Sequence, residues 1–274
     1  MDPKQVETRV IDGLAKPWSV RRSLDLYLDL DRPAWREARS ISIRVPVDPG
    51  VARRWLPPAL TPADPACATF FVAEYPEVCF GVPYRESGVL LHARHHGEDV
   101  LHCAWMVVDD DTALILGREL LGFPKKLAEI DFELGEDGSA RAAIRRRGIE
   151  VLRMEARAPT PSRGEPLLPL PVVNAKGSPS IVPGSLWRMD PKQHIHSAWA
   201  AEVTLQIGSS PFDPLDELDA EAEGPGQTLI SDIAVPVGRS RGGWRGLRRF
   251  FGSVRPVGLV SHRWLIERFP FRTM

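Results

Sequence analysis

Gly117-Arg118-Glu119-Leu120-Leu121-Gly122-Phe123-Pro124-Lys125-Lys126-Leu127 sets two adjacent lysines behind a proline, among Leu120, Leu121, Phe123 and Leu127. Pro124 fixes its own φ and biases Phe123 toward extended geometry, so the backbone entering the lysine pair is stiff. The pair stands out against the rest of the chain. Of 35 basic residues only six are lysine (Lys4, Lys16, Lys125, Lys126, Lys176 and Lys192), and the other 29 are arginine. Where positive charge alone is wanted, this chain uses arginine. Arginine stays protonated, whereas a desolvated lysine can become a neutral amine. A lysine in an apolar pocket beside a second cation suffers two penalties on its charged form, desolvation and like-charge repulsion. The neutral amine that results can attack a ketone and form an imine. A lysine pair without such neighbours would read as a solvated loop.

Outward from this stretch, most of the sequence alternates with period two. Leu24, Leu26, Leu28 and Leu30 do so, as do Ile41, Ile43 and Val45. Residues 67–75 are apolar and aromatic, and residues 100–108, the acidic turn 109–111 and residues 113–116 read as a hairpin. The lysine stretch therefore falls between two strands. Further strands are expected over residues 127–134, 139–146, 149–157, 194–207 and 227–235. Helices are few: one opens at Asp48 with Pro49 behind it and runs to about Leu56, and residues 211–221 can hold another. Proline numbers 26 of 274 residues, about twice the usual share, which suits short strands and loops. The expected fold is mainly β (a β-rich α+β class): a largely antiparallel, closed or barrel-like sheet enclosing an apolar pocket, with a few short helices.

Charge nearly cancels, with 35 Lys+Arg against 36 Asp+Glu. No global positive excess exists to release phosphate counterions, so nucleic acid is not an expected partner. No apolar run approaches the length of a membrane span, and the N-terminus lacks a signal-peptide pattern. Cys67, Cys79 and Cys103 are odd in number and lack CxxC spacing, which points to a reduced, cytoplasmic enzyme. Residues 238–274 differ in kind. Nine arginines and one acid, Glu267, give +8, which leaves −9 for the remaining residues. This Arg-rich tail, with Trp244, Phe250 and Phe251, could dock on an anionic lipid surface, or pack on the acidic body or another subunit. His92, His95, His96 and His102, with Cys103, could suggest a metal, as could His194 and His196. Strand alternation, however, sends His95 and His96 to opposite faces, and no metal site is expected. Phosphate-cradling glycine loops and nucleophile elbows are absent from the sequence.

The segment 117–127 resembles the signature GREL-x-x-[FY]-P-K-K-L of the acetoacetate decarboxylase superfamily. Lysine activation by desolvation or a neighbouring cation is known for acetoacetate decarboxylase itself, so the resemblance brings that chemistry with it. Asp99-Val100-Leu101-His102 is similar to the family's strand before the hairpin. Ala198-Trp199, Leu205, Pro214-Leu215, Leu218 and Asp232-Ile233-Ala234-Val235-Pro236 follow its C-terminal pattern in order. The resemblance implies an N-terminal extension (1–35), a family domain (36–237) and the Arg-rich tail (238–274). By the same resemblance Lys125 is the imine-forming lysine, Lys126 its cationic neighbour and Glu86 a catalytic glutamate suited to proton transfer. Arg36 falls where an arginine would hold a substrate carboxylate, Phe123 lines the lysine, and Glu119 belongs to the signature as a possible site residue. Phe71 stands where true decarboxylases carry a second glutamate.

The resemblance implies a cofactor-free lyase that acts on a small oxo acid, decarboxylating a β-oxo acid, in a homo-oligomer. Phe71 opens an alternative, an imine-dependent aldolase, retro-aldolase or dehydratase. A third expectation, from a different class, is a non-catalytic protein that binds a small anion or a membrane surface.

Overall fold

A computed structural model describes residues 35–78, 81–176, 184–220 and 222–234, and the backbone of 254–260. In chain order the elements are β1 (Trp35–Pro46), α1 (Pro49–Trp55), β2 (Thr61–Pro62), β3 (Cys67–Tyr75), β4 (Glu77–Val78), β5 (Tyr84–His95), β6 (Glu98–Val108), α2 (Asp111–Leu121) and β7 (Lys125–Leu127). There follow β8 (Glu129–Leu134), β9 (Ala140–Arg146), β10 (Ile149–Pro161), β11 (Val172–Lys176), β12 (Gly184–Met189), β13 (Lys192–Ile207), a 3₁₀ turn (Leu215–Leu218), β14 (Ala222–Ala234) and β15 (Val254–Val260). The fold is mainly β. The strands form one sheet in the order β15-β12-β11-β6-β5-β3-β1-β14-β13-β10-β9-β8, with β2, β4 and β7 attached to β5, β1 and β6. Pairing is antiparallel except where β6 meets β7 and β11.

Strand alternation divides the apolar residues between two cores. Along β3, Ala68, Phe70 and Val72 enter the larger core with Ile41, Val89 and Trp105, while Phe71, Ala73 and Tyr75 enter the other with Tyr84, Leu90, Cys103 and Met106. The larger core also takes Ile130, Ile144, Met154 and Val203 from β8, β9, β10 and β13. Both halves of the sheet thus bury one apolar face together, and the sheet wraps over on itself. Arg85 on β5 reaches the carbonyl of Ile130 on β8 at 3.5 Å across the wrap. Among the described residues no backbone ladder joins the two ends, β8 and β15.

The hairpin expected over residues 100–116 is not formed, because residues 111–121 are helix α2. Asp110 is its N-cap, accepting the Ala113 N–H at 2.7 Å, and its buried positions Ala113 and Gly117 recur at helical spacing. The Asp110 cap satisfies an N–H of the first helical turn that has no partner within the helix. The opposite-face expectation for His95 and His96 also fails. His96 and Gly97 turn with positive φ (51° and 83°), which brings the two imidazoles to 4.2 Å between centroids. Helix α1 starts behind Asp48 as its sequence requires, the Asp48 carboxylate accepting the Val51 N–H at 2.8 Å. Within the tail, the backbone of β15 pairs antiparallel with β12. The strand expected at residues 24–30, Cys79 and the tail aromatics Trp244, Phe250 and Phe251 lie outside the described residues.

Candidate active site

The lysine stretch is a helix end, a turn and a short strand. Gly122 leaves α2 in the left-handed region (φ 71°), where a side chain would be strained. Its N–H bonds the Arg118 carbonyl at 3.3 Å, and the Phe123 N–H reaches the Gly117 carbonyl at 3.0 Å. Pro124 cannot continue the helix, and the chain enters β7 parallel to β6, with Lys125 beside Met106 and Lys126 beside Val107. Met106 belongs to the aromatic core and Val107 to the larger one. Adjacent residues of a strand point to opposite faces, so the two lysines part.

Lys125 is 4% exposed and reaches into the aromatic core. Its Nζ donates to Glu86 Oε2 at 2.9 Å and lies 5.0 Å from the Tyr84 ring centroid and 5.9 Å from that of Phe123. Glu86, also buried, comes from β5 on the same face as Tyr84. Its other oxygen accepts a hydrogen bond from the Tyr75 hydroxyl at 2.8 Å. The Trp35 indole donates to the Tyr84 hydroxyl at 2.9 Å and fixes the ring beside Nζ. Burial, then the Glu86 charge and Tyr84, hold the Tyr75 phenol well above its ordinary value, so it remains a donor. The Cys103 thiol is likewise pushed well up, by burial first and then by Glu86, with Lys125 opposing.

Helix α2 closes the other side. A methyl at Gly117 would sit 2.5 Å from Lys125 Cδ and Cε, so the lysine stem lies against the bare helix backbone. Phe71 packs in the same core, its ring against Gly88, where a Cβ would come within 2.8 Å of it.

Lys126 takes the opposite direction. Its Nζ donates to Asp213 Oδ1 at 2.7 Å, the Trp105 indole donates to the same oxygen at 2.9 Å, and Arg146 lies 3.1 Å from Oδ2. Asp213 is fully buried. Desolvation raises its carboxyl, but Lys126, Trp105 and Arg146 together hold it below its ordinary value. The charge of Lys126 is thus met by a carboxylate on the far side of the strand.

Residues 22–229 match the family described as acetoacetate decarboxylase (ADC). The chain belongs to the acetoacetate decarboxylase family. Among curated members of this family of enzymes, acetoacetate decarboxylase 1 of Mesorhizobium japonicum is 25% identical over 214 residues, 75% of this chain and 86% of the relative. Acetoacetate decarboxylase of Chromobacterium violaceum is 28% identical over 213 residues, 74% of this chain and 85% of the relative. The fold is similar to the crystal structure of acetoacetate decarboxylase from Legionella pneumophila (TM-score 0.70, 20% identity, 83% of this chain and 88% of that one). It is also similar to the enduracididine biosynthesis enzyme MppR complexed with pyruvate (TM-score 0.63, 21% identity, 74% and 87%). The acetoacetate decarboxylase fold therefore carries members with other roles.

Of the residues singled out in this family member's sequence, the structure brings together Lys125, Glu86 and Phe123, and sets Phe71 in the same apolar core. Lys126 lies on the other face. Glu119 is exposed on α2. Arg36 lies 3.4 Å from Glu77, in register with it on β4, and its buried Nε has no hydrogen-bond partner. Sequence reading passed over Tyr75, Tyr84, Trp35 and Asp213. The two tyrosines carried a signal: the chain has three, and Tyr84 stands two residues before Glu86, on its face of the strand. Asp213 carried none, since only the fold brings it to Lys126 across 87 residues. Among the described residues no cluster of metal-ligating side chains occurs, and no helix is long and apolar enough to cross a membrane.

Proposed function

We propose that the protein is a lysine Schiff-base lyase acting on a β-oxo acid, with decarboxylation as its reaction. The observation that carries this reading is the contact between Lys125 and Glu86 at 2.9 Å inside an aromatic, water-poor core. Glu86 stands where it can take the proton that the ammonium must lose before the nitrogen can attack. The neutral amine adds to the ketone carbon to give a carbinolamine. Glu86 returns a proton to the departing hydroxyl, water leaves, and the iminium forms. The iminium accepts the electron pair of the breaking carbon–carboxylate bond as carbon dioxide departs. The enamine left behind takes a proton at carbon, and hydrolysis frees the ketone and Lys125. Arg36, which the family resemblance puts at the substrate carboxylate, would have to exchange its contact with Glu77, 3.4 Å away, for that role.

Phe71 supports a second reading with the same imine. An apolar ring on this face of β3 offers no proton there, and one structural neighbour is an enzyme described with pyruvate bound rather than as a decarboxylase. Aldol, retro-aldol or dehydration chemistry on an oxo acid would then follow iminium formation. Borohydride reduction during incubation with acetoacetate or pyruvate tests both readings. An adduct mass on Lys125, lost in Lys125→Arg, is expected, and an unlabelled wild-type protein refutes the imine. Carbon dioxide release from acetoacetate separates the two, since imine trapping without gas favours the second.

A further inference from the structure

Glu86 holds a separate donor on each oxygen: Lys125 Nζ on Oε2 at 2.9 Å and the Tyr75 hydroxyl on Oε1 at 2.8 Å. The two donors come from different elements, β7 and β3, and are joined by hydrogen bonds through this carboxylate. Tyr75 is itself fixed. It lies opposite Tyr84 in the β3–β5 register, its ring is 4.8 Å from the Tyr84 ring and 6.2 Å from that of Trp35, and it is 4% exposed. The titratable groups around the carboxylate are Tyr75 from β3, Tyr84 from β5, Cys103 from β6 and Lys125 from β7. With burial and the neighbouring carboxylate keeping the phenol protonated, Tyr75 offers a donor and does not compete as a base.

We propose that Tyr75 is a positioning residue for the Lys125 amine, acting through Glu86. By occupying Oε1 it stops the carboxylate from turning and presents Oε2 alone to Nζ. The proton released by Lys125 then has one landing place, 2.9 Å away, and the carboxylic acid so formed faces the nitrogen on which the carbinolamine develops. The phenol also stabilises the anionic carboxylate, as any donor to a charged oxygen does. This inference rests on the imine reading for its purpose, though not for its test.

The test compares wild type, Tyr75→Phe, Glu86→Gln and the double variant in the full-length protein. One readout is the rate of borohydride trapping with acetoacetate between pH 5 and 9. The other is acetylation of Lys125 by acetic anhydride over the same range, followed by mass spectrometry, which requires no imine. Tyr75→Phe should slow trapping about tenfold and move the acid limb of both profiles up by about one pH unit, the effect of removing one donor from a charged group. In the Glu86→Gln background the same substitution should add less than about twofold, because its target is gone. Profiles of Tyr75→Phe that superimpose on wild type overturn the inference, and so does an undiminished effect in the Glu86→Gln background. A wild type that traps no substrate refutes the proposed function, and the acetylation profiles still decide the role of Tyr75. If Tyr75→Phe fails to fold, 3-fluorotyrosine at position 75 keeps the ring and strengthens the donor. Its acid limb should move down in pH, and an unmoved limb overturns the inference.

Discussion

Gly117→Ala is the sharpest probe of how Lys125 is held. In the interior of a helix this change normally stabilises by about 0.5–1 kcal/mol, through a smaller loss of backbone entropy on folding. Here the added methyl would lie 2.5 Å from Lys125 Cδ and Cε and 3.1 Å from Nζ, against an ordinary contact of at least 3.4 Å. The stem must retreat by the difference, 0.9 Å for the two carbons. It has little room, because Nζ is bonded to Glu86 and flanked by the Tyr84 and Phe123 rings. Overpacking of this kind costs about 1–3 kcal/mol, so the helix gain offsets part of it and net stability should fall by no more than about 2.5 kcal/mol. Function should fall much further. A displacement of about 1 Å at a reacting group can cost about 100-fold in rate, and Nζ would also lose hydrogen-bonding distance to Oε2. The assay pairs a thermal melt with the rate of borohydride trapping by acetoacetate. A cooperative melt near that of wild type with trapping slowed about 100-fold is expected. Trapping at the wild-type rate would show that the helix backbone does not set the position of the amine.

Three further predictions concern charge. His92 is 8% exposed, bonded to Thr69 Oγ1 at 2.9 Å, and lowered to about 4, by burial first and then by Arg44, with Asp99 opposing. Its stabilising contribution is whole above the unfolded value near 6.5 and is lost as pH falls toward 4, about 2–3 kcal/mol after solvent screening, so His92→Gln should flatten the denaturation midpoint over that window. Asp213 has its carboxyl depressed, so its contribution is present above the ordinary carboxylate range and fades as acid protonates it in the fold. Asp213→Leu should cost about 3–5 kcal/mol by urea denaturation at pH 7, since it strands Lys126 and Arg146 without their shared anion. A loss under 1 kcal/mol would refute that ledger. Lys126→Gln should leave the acid limb of the trapping profile in place, because Asp213 already balances this charge; an upward move by a full pH unit would mean that like-charge repulsion reaches Lys125 after all.

Most of the sheet was legible because apolar and polar residues alternate along its strands, as in residues 39–45 of β1, even though the polar Ser40 and Ser42 are buried there too. Helix α2 was read as a strand because Ala113-Leu114-Ile115-Leu116 is a short apolar run, which periodicity alone cannot assign. Its correct signals lay at the ends: Asp110 as N-cap, and Gly122 followed by Pro124 as a stop. Local chemistry marked only the lysine pair, and Glu86 stood out through the family resemblance alone. Tyr75 and Asp213 were not legible, because each acquires its role from a partner 11 or 87 residues away, and nothing in the local pattern of either residue points to that partner.

The structure also changes what the second lysine explains. Read from sequence, Lys126 is a neighbouring cation that discourages charge on Lys125. In the fold the strand turns the two side chains to opposite faces, and Lys126 meets a buried carboxylate that also holds Trp105. Trp105 precedes Met106, the β6 partner of Lys125. The Lys126–Asp213–Trp105 contact therefore ties β7 to β6 from behind, at the step where Lys125 leaves the strand for the aromatic core. A three-residue strand has few backbone bonds with which to hold its register, and a slip of one residue would exchange the two lysines between faces. The buried ion pair opposes that slip, because the exchange would strip Asp213 of one of its two cations and leave Arg146 alone to balance it. On this geometry the second lysine serves the first by holding its direction, and the withdrawal of Lys125 from water falls to the aromatic rings and to Gly117.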